Sequence, residues 1–149
     1  MEATQLIENL AQTEILKTNL QQILDAYKKL DYHLLNDMLD DNCLYQDMRK
    51  TSFILEQKRI FDSLRKKGDT KMLLSTNICT GCLKNSPLFV LTGNHSGFKH
   101  GLYFEFTGDV ITDIFRGSEQ SDSMEGGCRF NNDFRLLYYI KQHKSIVYI

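Results

Sequence analysis

The fold is decided by residues 88–117, LFVLTGNHSGFKHGLYFEFTGDVITDIFRG. This stretch contains three runs rich in aromatic and β-branched residues, separated by loops that carry glycine, and such a pattern predicts a three-stranded antiparallel meander. The runs are Leu88–Thr92, Gly101–Phe106 and Val110–Phe115, and Gly108-Asp109 fits a two-residue hairpin turn between the last two. A sheet with this much phenylalanine, tyrosine and leucine needs a cover on at least one face.

Upstream of the meander, residues 2–30 carry an amphipathic helical stripe. Apolar residues recur at spacings of three, four and seven, with Gln, Lys and Glu on the opposite side. The stripe consists of Leu6, Leu10, Leu20, Ile23, Leu24 and Tyr27. The segment is either one long helix or an N-terminal extension followed by a core helix, with Thr13 or Thr18 as the cap of an internal restart.

Two further helices and two strands are predicted between this segment and the meander. Asp31 is expected to be the N-cap of a short helix that ends near Asp40. The third helix is predicted from Leu55 to Lys67, because basic residues in a last turn and a following glycine favour a helix C-terminus. Strands are expected at Cys43–Asp47 and Lys71–Cys79. The sequence therefore predicts an α+β fold in which three N-terminal helices cover an antiparallel sheet.

The composition changes after Gly117. Residues 118–127, SEQSDSMEGG, are small and polar and are predicted to form a linker. Residues 134–149 contain two runs that are apolar on both faces, LLYYI and SIVYI, and are predicted to form an extra C-terminal β-hairpin. An isolated, solvated hairpin of this kind would be an aggregation hazard. We expect it to join the sheet edge, cap a pocket or pack on a second subunit, within a single domain of residues 1–149.

Charge and composition exclude several function classes. The 18 Lys and Arg residues against 19 Asp and Glu residues give a net charge of -1, which offers no electrostatic basis for binding nucleic acid or an acidic membrane. No apolar run approaches the ~18 residues that span a bilayer. The first residues are acidic and polar, unlike a signal peptide. We therefore expect a cytoplasmic protein, with its cysteines reduced.

The order of these elements resembles a known superfamily. From about residue 18 to 117 the predicted order is α-α-β-α-β-β-β-β, with YKKLD at 27–31, MLDD at 38–41, LYQD at 44–47 and LYFEFTGDVITDIF at 102–115 as the matching motifs. Together they resemble the nuclear-transport-factor-2-like superfamily, and especially its SnoaL-like members. The resemblance implies a cystatin-like cone, in which a strongly curved sheet and three helices enclose a pocket, and a homodimer formed through the sheet.

The resemblance also implies a candidate acid/base residue, Asp47. It matches the position of the proton-shuttling aspartate of the ketosteroid isomerases, which belong to this superfamily. A carboxylate at the mouth of an apolar pocket has a raised pKa and can move a proton next to a carbonyl. The alternative is a turn aspartate that accepts backbone N–H bonds in the 48–52 loop. Asp113 is the second candidate, because two carboxylates that share a pocket can act as an acid/base pair.

The oxyanion-binding donors of the isomerases are missing from the matching positions, which carry Ile23 and Leu102. Such donors usually supply the largest catalytic contribution, so steroid isomerisation is not expected. Tyr27 lies one helical turn after Ile23 and is the third candidate catalytic residue. Its alternative role is a core residue with its hydroxyl at the rim of the pocket.

The expected pocket is apolar, aromatic and open to a small-molecule ligand. Alternation of apolar residues does not decide which side of the last strand faces it, and the resemblance to the isomerases favours Ile111, Asp113 and Phe115 on the pocket side. The predicted lining residues are Tyr45, Phe61, His100, Leu102, Phe104 and Phe115. A histidine at the mouth acts as an acid or base near neutral pH or is a solvated loop residue.

Neither a metal site nor a cofactor is predicted. Cys79 and Cys82 form a C-x-x-C at a strand end, not at the helix N-terminus that stabilises a redox thiolate, and Cys43 and Cys128 lack the spacing of zinc ligands. Two function classes stay open. One is an isomerase, cyclase, dehydratase or hydrolase type of enzyme that uses Asp47, and the other is a ligand-binding or scaffold module without catalysis. They differ in whether two titratable groups converge on one ligand atom.

Overall fold

The computed structural model describes residues 2–78 and 87–117. These residues form four α-helices, a two-stranded sheet and a four-stranded antiparallel sheet, so the predicted α+β class is confirmed. The elements are α1 (Ala3–Leu10), α2 (Glu14–Lys28), α3 (Tyr32–Met38), β1 (Leu44–Tyr45), β2 (Met48–Arg49), α4 (Lys50–Lys66), β3 (Met72–Ile78), β4 (Pro87–Gly93), β5 (Lys99–Thr107) and β6 (Val110–Gly117). The predictions for Cys79, Cys82, Cys128, the 118–127 linker and the 134–149 hairpin lie outside the described residues.

The N-terminal segment is two helices, not one. The hydroxyl of Thr13 accepts a 3.1 Å hydrogen bond from the backbone N–H of Leu16, which caps the start of α2. Asp31 caps α3 in the same way, since its carboxylate accepts a 3.0 Å bond from the N–H of Leu34. The structure selects Thr13 of the two candidate caps for the restart, and the predicted cap at Asp31 is confirmed.

Helix α4 begins five residues before the predicted start. Gln46 and Asp47 have φ values of 52° and 62°, which reverses the chain so that β2 pairs with β1 in a short hairpin. The expected strand Cys43–Asp47 is therefore shortened to β1, and the expected 48–52 loop is β2 followed by helix. Such a turn favours Asn-Gly, and Gln-Asp is not a usual pair for it, so this turn could not be predicted from the residues. The C-terminus was predicted correctly, with Gly68 at φ 98° just past the last turn.

The large sheet has the order β3-β4-β5-β6, with every neighbouring pair antiparallel. The predicted turn at Gly108-Asp109 joins β5 to β6. One face of the sheet, the helix-covered face, contributes the buried residues Met72, Phe89, Leu91, Leu102, Ile111 and Ile114 to the same core as the buried residues of all four helices. We call the opposite face the outer face.

A β-bulge at Thr112 changes the face of the sheet to which the following side chains of β6 point. Phe106 pairs with Ile111, but the next residue back along β5, Glu105, pairs with Asp113, so Thr112 is an extra residue. The bulge places Ile111 and Ile114 on the helix-covered face and turns Asp113 and Phe115 to the outer face. The expectation that Ile111, Asp113 and Phe115 share the pocket side was therefore wrong for Asp113 and Phe115.

Asp69 holds the loop that joins β4 to β5. One carboxylate oxygen accepts 2.7 Å hydrogen bonds from the backbone N–H groups of His95 and Ser96, and the other accepts a bond from the Ser96 hydroxyl. The side chain is buried, and a Cβ at Gly93 would come within 2.2 Å of it. The loop is thus fixed just before Phe98, which lines a cavity beside α4.

We expect Asp69 to make folding sensitive to acid. Burial alone would raise the pKa of this carboxyl, but the hydrogen bonds from Ser96 and His95 outweigh burial and hold the pKa below its ordinary value. A carboxyl with a lowered native pKa stabilises the fold above its unfolded pKa and loses that contribution as the pH falls through the native value. Asp69→Asn should lower the midpoint of thermal unfolding by several degrees at pH 7.

The check is thermal unfolding of both proteins at pH 7 and at successive steps below pH 4. The gap between the wild-type protein and Asp69→Asn should narrow as the pH falls. Asp37→Asn, at an exposed position of α3, is the matched control and should leave the midpoint unchanged. A gap of constant size at every pH would show that the loop does not depend on the charge of Asp69.

Candidate functional site

A cavity of about 360 Å³ lies between α4 and the sheet. From the helix side it is lined by Glu56, Arg59, Ile60, Ser63, Leu64 and Lys67. These residues recur at spacings of three and four, so they form one face of α4 and its C-cap. Phe98, just before β5, and Arg116, on β6, close the cavity from the sheet side.

The rim of this cavity carries more positive than negative charge. Arg59, Lys67 and Arg116 face it, against a single carboxylate, Glu56. The Lys67 ammonium lies 5.9 Å from the centre of the Phe98 ring, close enough for a cation–π contact. Since Ile60, Leu64 and Phe98 supply an apolar wall beside these charges, the cavity combines a cationic rim with an apolar surface.

Behind Phe98 lies a buried cluster of polar and aromatic side chains. The Tyr27 hydroxyl donates a 2.9 Å hydrogen bond to the Oε1 atom of Gln57. The His100 ring is stacked on Tyr27, with centroids 5.8 Å apart, and on Phe98, with centroids 6.1 Å apart. The Phe61 and Tyr27 rings form a T-shaped pair with centroids 5.4 Å apart. The cluster thus connects α2 and α4 to the start of β5, directly beside the cavity.

His100 is the unusual member of this cluster. Its side chain is 2% exposed, and neither ring nitrogen has a hydrogen-bond partner among the described residues. Burial, together with the smaller effect of the nearby charge of Arg116, lowers the pKa of His100 to about 3. The imidazole is therefore neutral at physiological pH, with one N–H donor and one nitrogen acceptor held inside the protein.

Neither Tyr27 nor His100 is suited to proton transfer at neutral pH. Burial raises the pKa of Tyr27 far above its ordinary value, with a further increase from the charge of Glu56. A general acid or base works best when its pKa lies near the operating pH. Tyr27 and His100 are displaced from that range in opposite directions, so the cluster can orient a neighbouring group but cannot exchange protons with it readily.

A second cavity, of about 260 Å³, lies at the opposite end of the helix layer. It is lined by residues of α2, of the end of α3 and of the β5–β6 turn, namely Asn19, Ile23, Met38, Leu39, Asp40, Asp109, Val110 and Ile111. The Asp109 carboxylate already accepts from the Thr13 hydroxyl, and its backbone carbonyl accepts a 3.3 Å bond from Asn19. The polar groups at this cavity are therefore largely used in joining α2 to the turn.

The three predicted catalytic residues line neither of these two cavities. Asp47 is exposed in the β1–β2 turn. Asp113 is fully buried, and its carboxylate accepts hydrogen bonds of 2.9 Å and 2.7 Å from the backbone N–H groups of Gln46 and Ile114. Tyr27 lies in the core. The structure therefore does not bring two titratable groups of this set to one cavity.

The predicted lining residues mostly fill the core instead. Tyr45 packs on Phe53, and its hydroxyl accepts a 2.8 Å bond from the N–H of Asp40, while burial raises the pKa of Tyr45 to about 12. Phe61 and Leu102 are fully buried, and Phe104 meets the edge of Phe89 at 5.6 Å. The remaining two are His100, in the buried cluster, and Phe115, on the outer face.

Sequence reasoning missed the residues that line the larger cavity. The face of α4 is visible in the spacing of Glu56, Arg59, Ser63 and Lys67, but charged residues at such spacing usually mark a solvated face. The expectation that Asp113 and Phe115 face the pocket implied that Arg116 faces away from it, because strict alternation along β6 was assumed and the bulge was not foreseen. The pattern that could have indicated this cavity is the row of basic residues on one face of α4, which continues into the last turn of the helix.

Comparison with known proteins gives no match: no family model, no curated protein and no solved structure matches this chain. The resemblance to SnoaL-like proteins stays a prediction. Within residues 2–78 and 87–117, no three or more His, Cys, Asp or Glu side chains are grouped so that they could hold a metal ion. None of the helices in that part of the chain is long and apolar enough to cross a membrane.

We predict that His100 makes the protein less stable in mild acid. Its pKa in the unfolded chain is about 6.5, so stability from the neutral imidazole is complete above that pH and is lost as the pH falls toward the native pKa of about 3. At pH 5 the loss should be about 2 kcal/mol, because each pH unit below 6.5 costs about 1.4 kcal/mol.

Urea unfolding at pH 7.5 and at pH 5 measures this loss. In His100→Gln the part of the pH dependence that comes from the imidazole should disappear, whatever the stability of the variant at pH 7.5. His33→Gln, at an exposed position of α3, should keep the wild-type pH dependence. An equal loss of stability in the wild-type protein and in His100→Gln would contradict a buried neutral imidazole.

Proposed function

We propose that this chain binds a small organic acid in the cavity between α4 and β6. The observation that carries the proposal is the combination of three cationic side chains, one carboxylate and an apolar wall around one opening. A guanidinium offers a planar fork that matches a carboxylate, so Arg116 and Arg59 are suited to the anionic group. The apolar body of the ligand would then lie on Phe98, Ile60 and Leu64.

The size of the cavity favours a small ligand. Its volume of about 360 Å³ lies near the lower end of the range for small-molecule pockets, about 300–1,000 Å³. A molecule with a single ring or a short aliphatic chain is of that size, whereas a steroid is larger. The ligand class that fits is therefore a monocarboxylic acid with a compact apolar group.

The order of the elements gives coarser support for a pocket between the helices and the sheet. The described elements follow the order on which the resemblance to SnoaL-like proteins is based, with α1 and β2 in addition. The resemblance implies a pocket on this side of the sheet, although the lining residues expected from it do not line the cavity. The catalytic variant of the hypothesis has less support, because Asp47 is exposed and Asp113 accepts from two backbone N–H groups. We therefore propose binding without acid/base catalysis.

Phenylacetate is a suitable probe, with phenethylamine as its matched cationic control. We expect phenylacetate to shift the backbone NMR signals of α4 and of residues around Phe98, and phenethylamine to bind much more weakly, because the rim is cationic. Arg116→Gln should weaken phenylacetate binding at least about tenfold, the size expected when a charged hydrogen bond is lost. Lys71→Gln, which removes an exposed positive charge outside the cavity, should leave the affinity unchanged.

Circular dichroism of each variant separates a binding defect from a folding defect. Equal binding of the acid and the amine would contradict the proposed charge selection. So would an unchanged affinity for phenylacetate in a folded Arg116→Gln protein. Native mass spectrometry of the purified protein then tests whether an acid of this class co-purifies with it.

A further inference from the structure

The outer face of the large sheet carries a buried apolar patch. Leu88, Val90 and Phe115 are only 0%, 1% and 3% exposed, and Tyr103 beside them is half-buried. These four residues, which we call the outer patch, lie on β4, β5 and β6. The pairings of β4, β5 and β6 place them on the side opposite Phe89, Leu102 and Ile114.

The described helices do not account for this burial. The buried apolar residues of all four helices belong to one core, which includes the helix-covered face but none of the outer patch. The burial does not extend over the whole outer face, since Leu73 of the neighbouring strand β3 lies on the same face and is 54% exposed. Something of limited width therefore covers β4, β5 and β6 and leaves β3 open.

We infer that the outer patch is the docking site of this chain's own C-terminal segment, residues 134–149. The described chain ends inside the patch: a Cβ built on Gly117 would lie 2.8 Å from Leu88 and 2.9 Å from Tyr103. The residues that continue from there include LLYYI and SIVYI, which are apolar on both faces and need a partner surface. The inference is independent of the proposed function.

The chain between Gly117 and this segment, residues 118–133, is long enough for this docking. Its small and polar part alone, residues 118–127, spans up to about 33 Å when fully extended. The four strands of the sheet are about 14 Å across from first to last, because neighbouring strands lie about 4.8 Å apart. Docking also removes large apolar side chains from water on both sides, and each one contributes about 1.5–3 kcal/mol when fully buried.

The rival occupant is a second copy of the chain, and one experiment separates the two. A photoreactive diazirine amino acid is placed at position 90 in the full-length protein, in the middle of the outer patch. After irradiation we expect cross-links within one chain, which peptide mass spectrometry assigns to residues 134–149. Cross-links that join two chains would overturn the inference in favour of a dimer, and solvent adducts alone would overturn it in favour of an open face.

A control position for the cross-linking experiment and an NMR measurement complete the test. The same amino acid at position 73, on the same face but exposed, should give mainly solvent adducts and is the matched control. In the unmodified protein with labelled Ile, Leu and Val methyl groups, Val90 should show NOE contacts to methyl groups of residues 136–149. A mixed sample of labelled and unlabelled chains should show no such contacts between copies, and their presence would again indicate a dimer.

Discussion

The bulge at Thr112 is the constraint on which the arrangement of the sheet depends. Without the extra residue, strict alternation from Ile111 would turn Asp113 and Phe115 toward the helices and Arg116 away from them. With it, Ile114 enters the core and Arg116, paired with Leu102, faces the cavity beside α4. The Thr112 hydroxyl donates toward the backbone carbonyl of Glu105 at 3.3 Å, which ties the bulged residue to the partner strand.

The position of Arg116 explains the character of the buried cluster beside it. A guanidinium close to His100 opposes protonation of the imidazole, in the same direction as burial does. The interior next to the cavity therefore holds neutral polar groups, with the Tyr27 hydroxyl bonded to Gln57. Under the proposed function, the charged end of an organic acid would contact the cations at the rim, and its apolar part would contact neutral or apolar groups further in.

The features that sequence predicted correctly are local ones. The cap at Asp31 and the turn at Gly108-Asp109 each depend on residues within four positions of each other, so one stretch of sequence is enough to predict them. For α2 the same reasoning gave Thr13 and Thr18 as alternatives, and the structure has Thr13 as the cap. The bulge at Thr112 could not be predicted, because it is defined by pairing with another strand. The site was missed for the same reason, since Arg116 reaches α4 only after β6 has changed its parity.

Carboxylates have different roles in the fold and at the cavity. Asp31, Asp69 and Asp113 each accept hydrogen bonds from backbone N–H groups, at a helix start, a loop and a strand edge. At Asp69 these hydrogen bonds hold the pKa of the carboxyl below its ordinary value, which makes it a poor base. The cavity, in contrast, holds three cations and only Glu56 as an anion. Because the buried carboxylates of Asp69 and Asp113 are engaged in holding the backbone, the proposed binding of an anion is more consistent with the geometry than transfer of a proton.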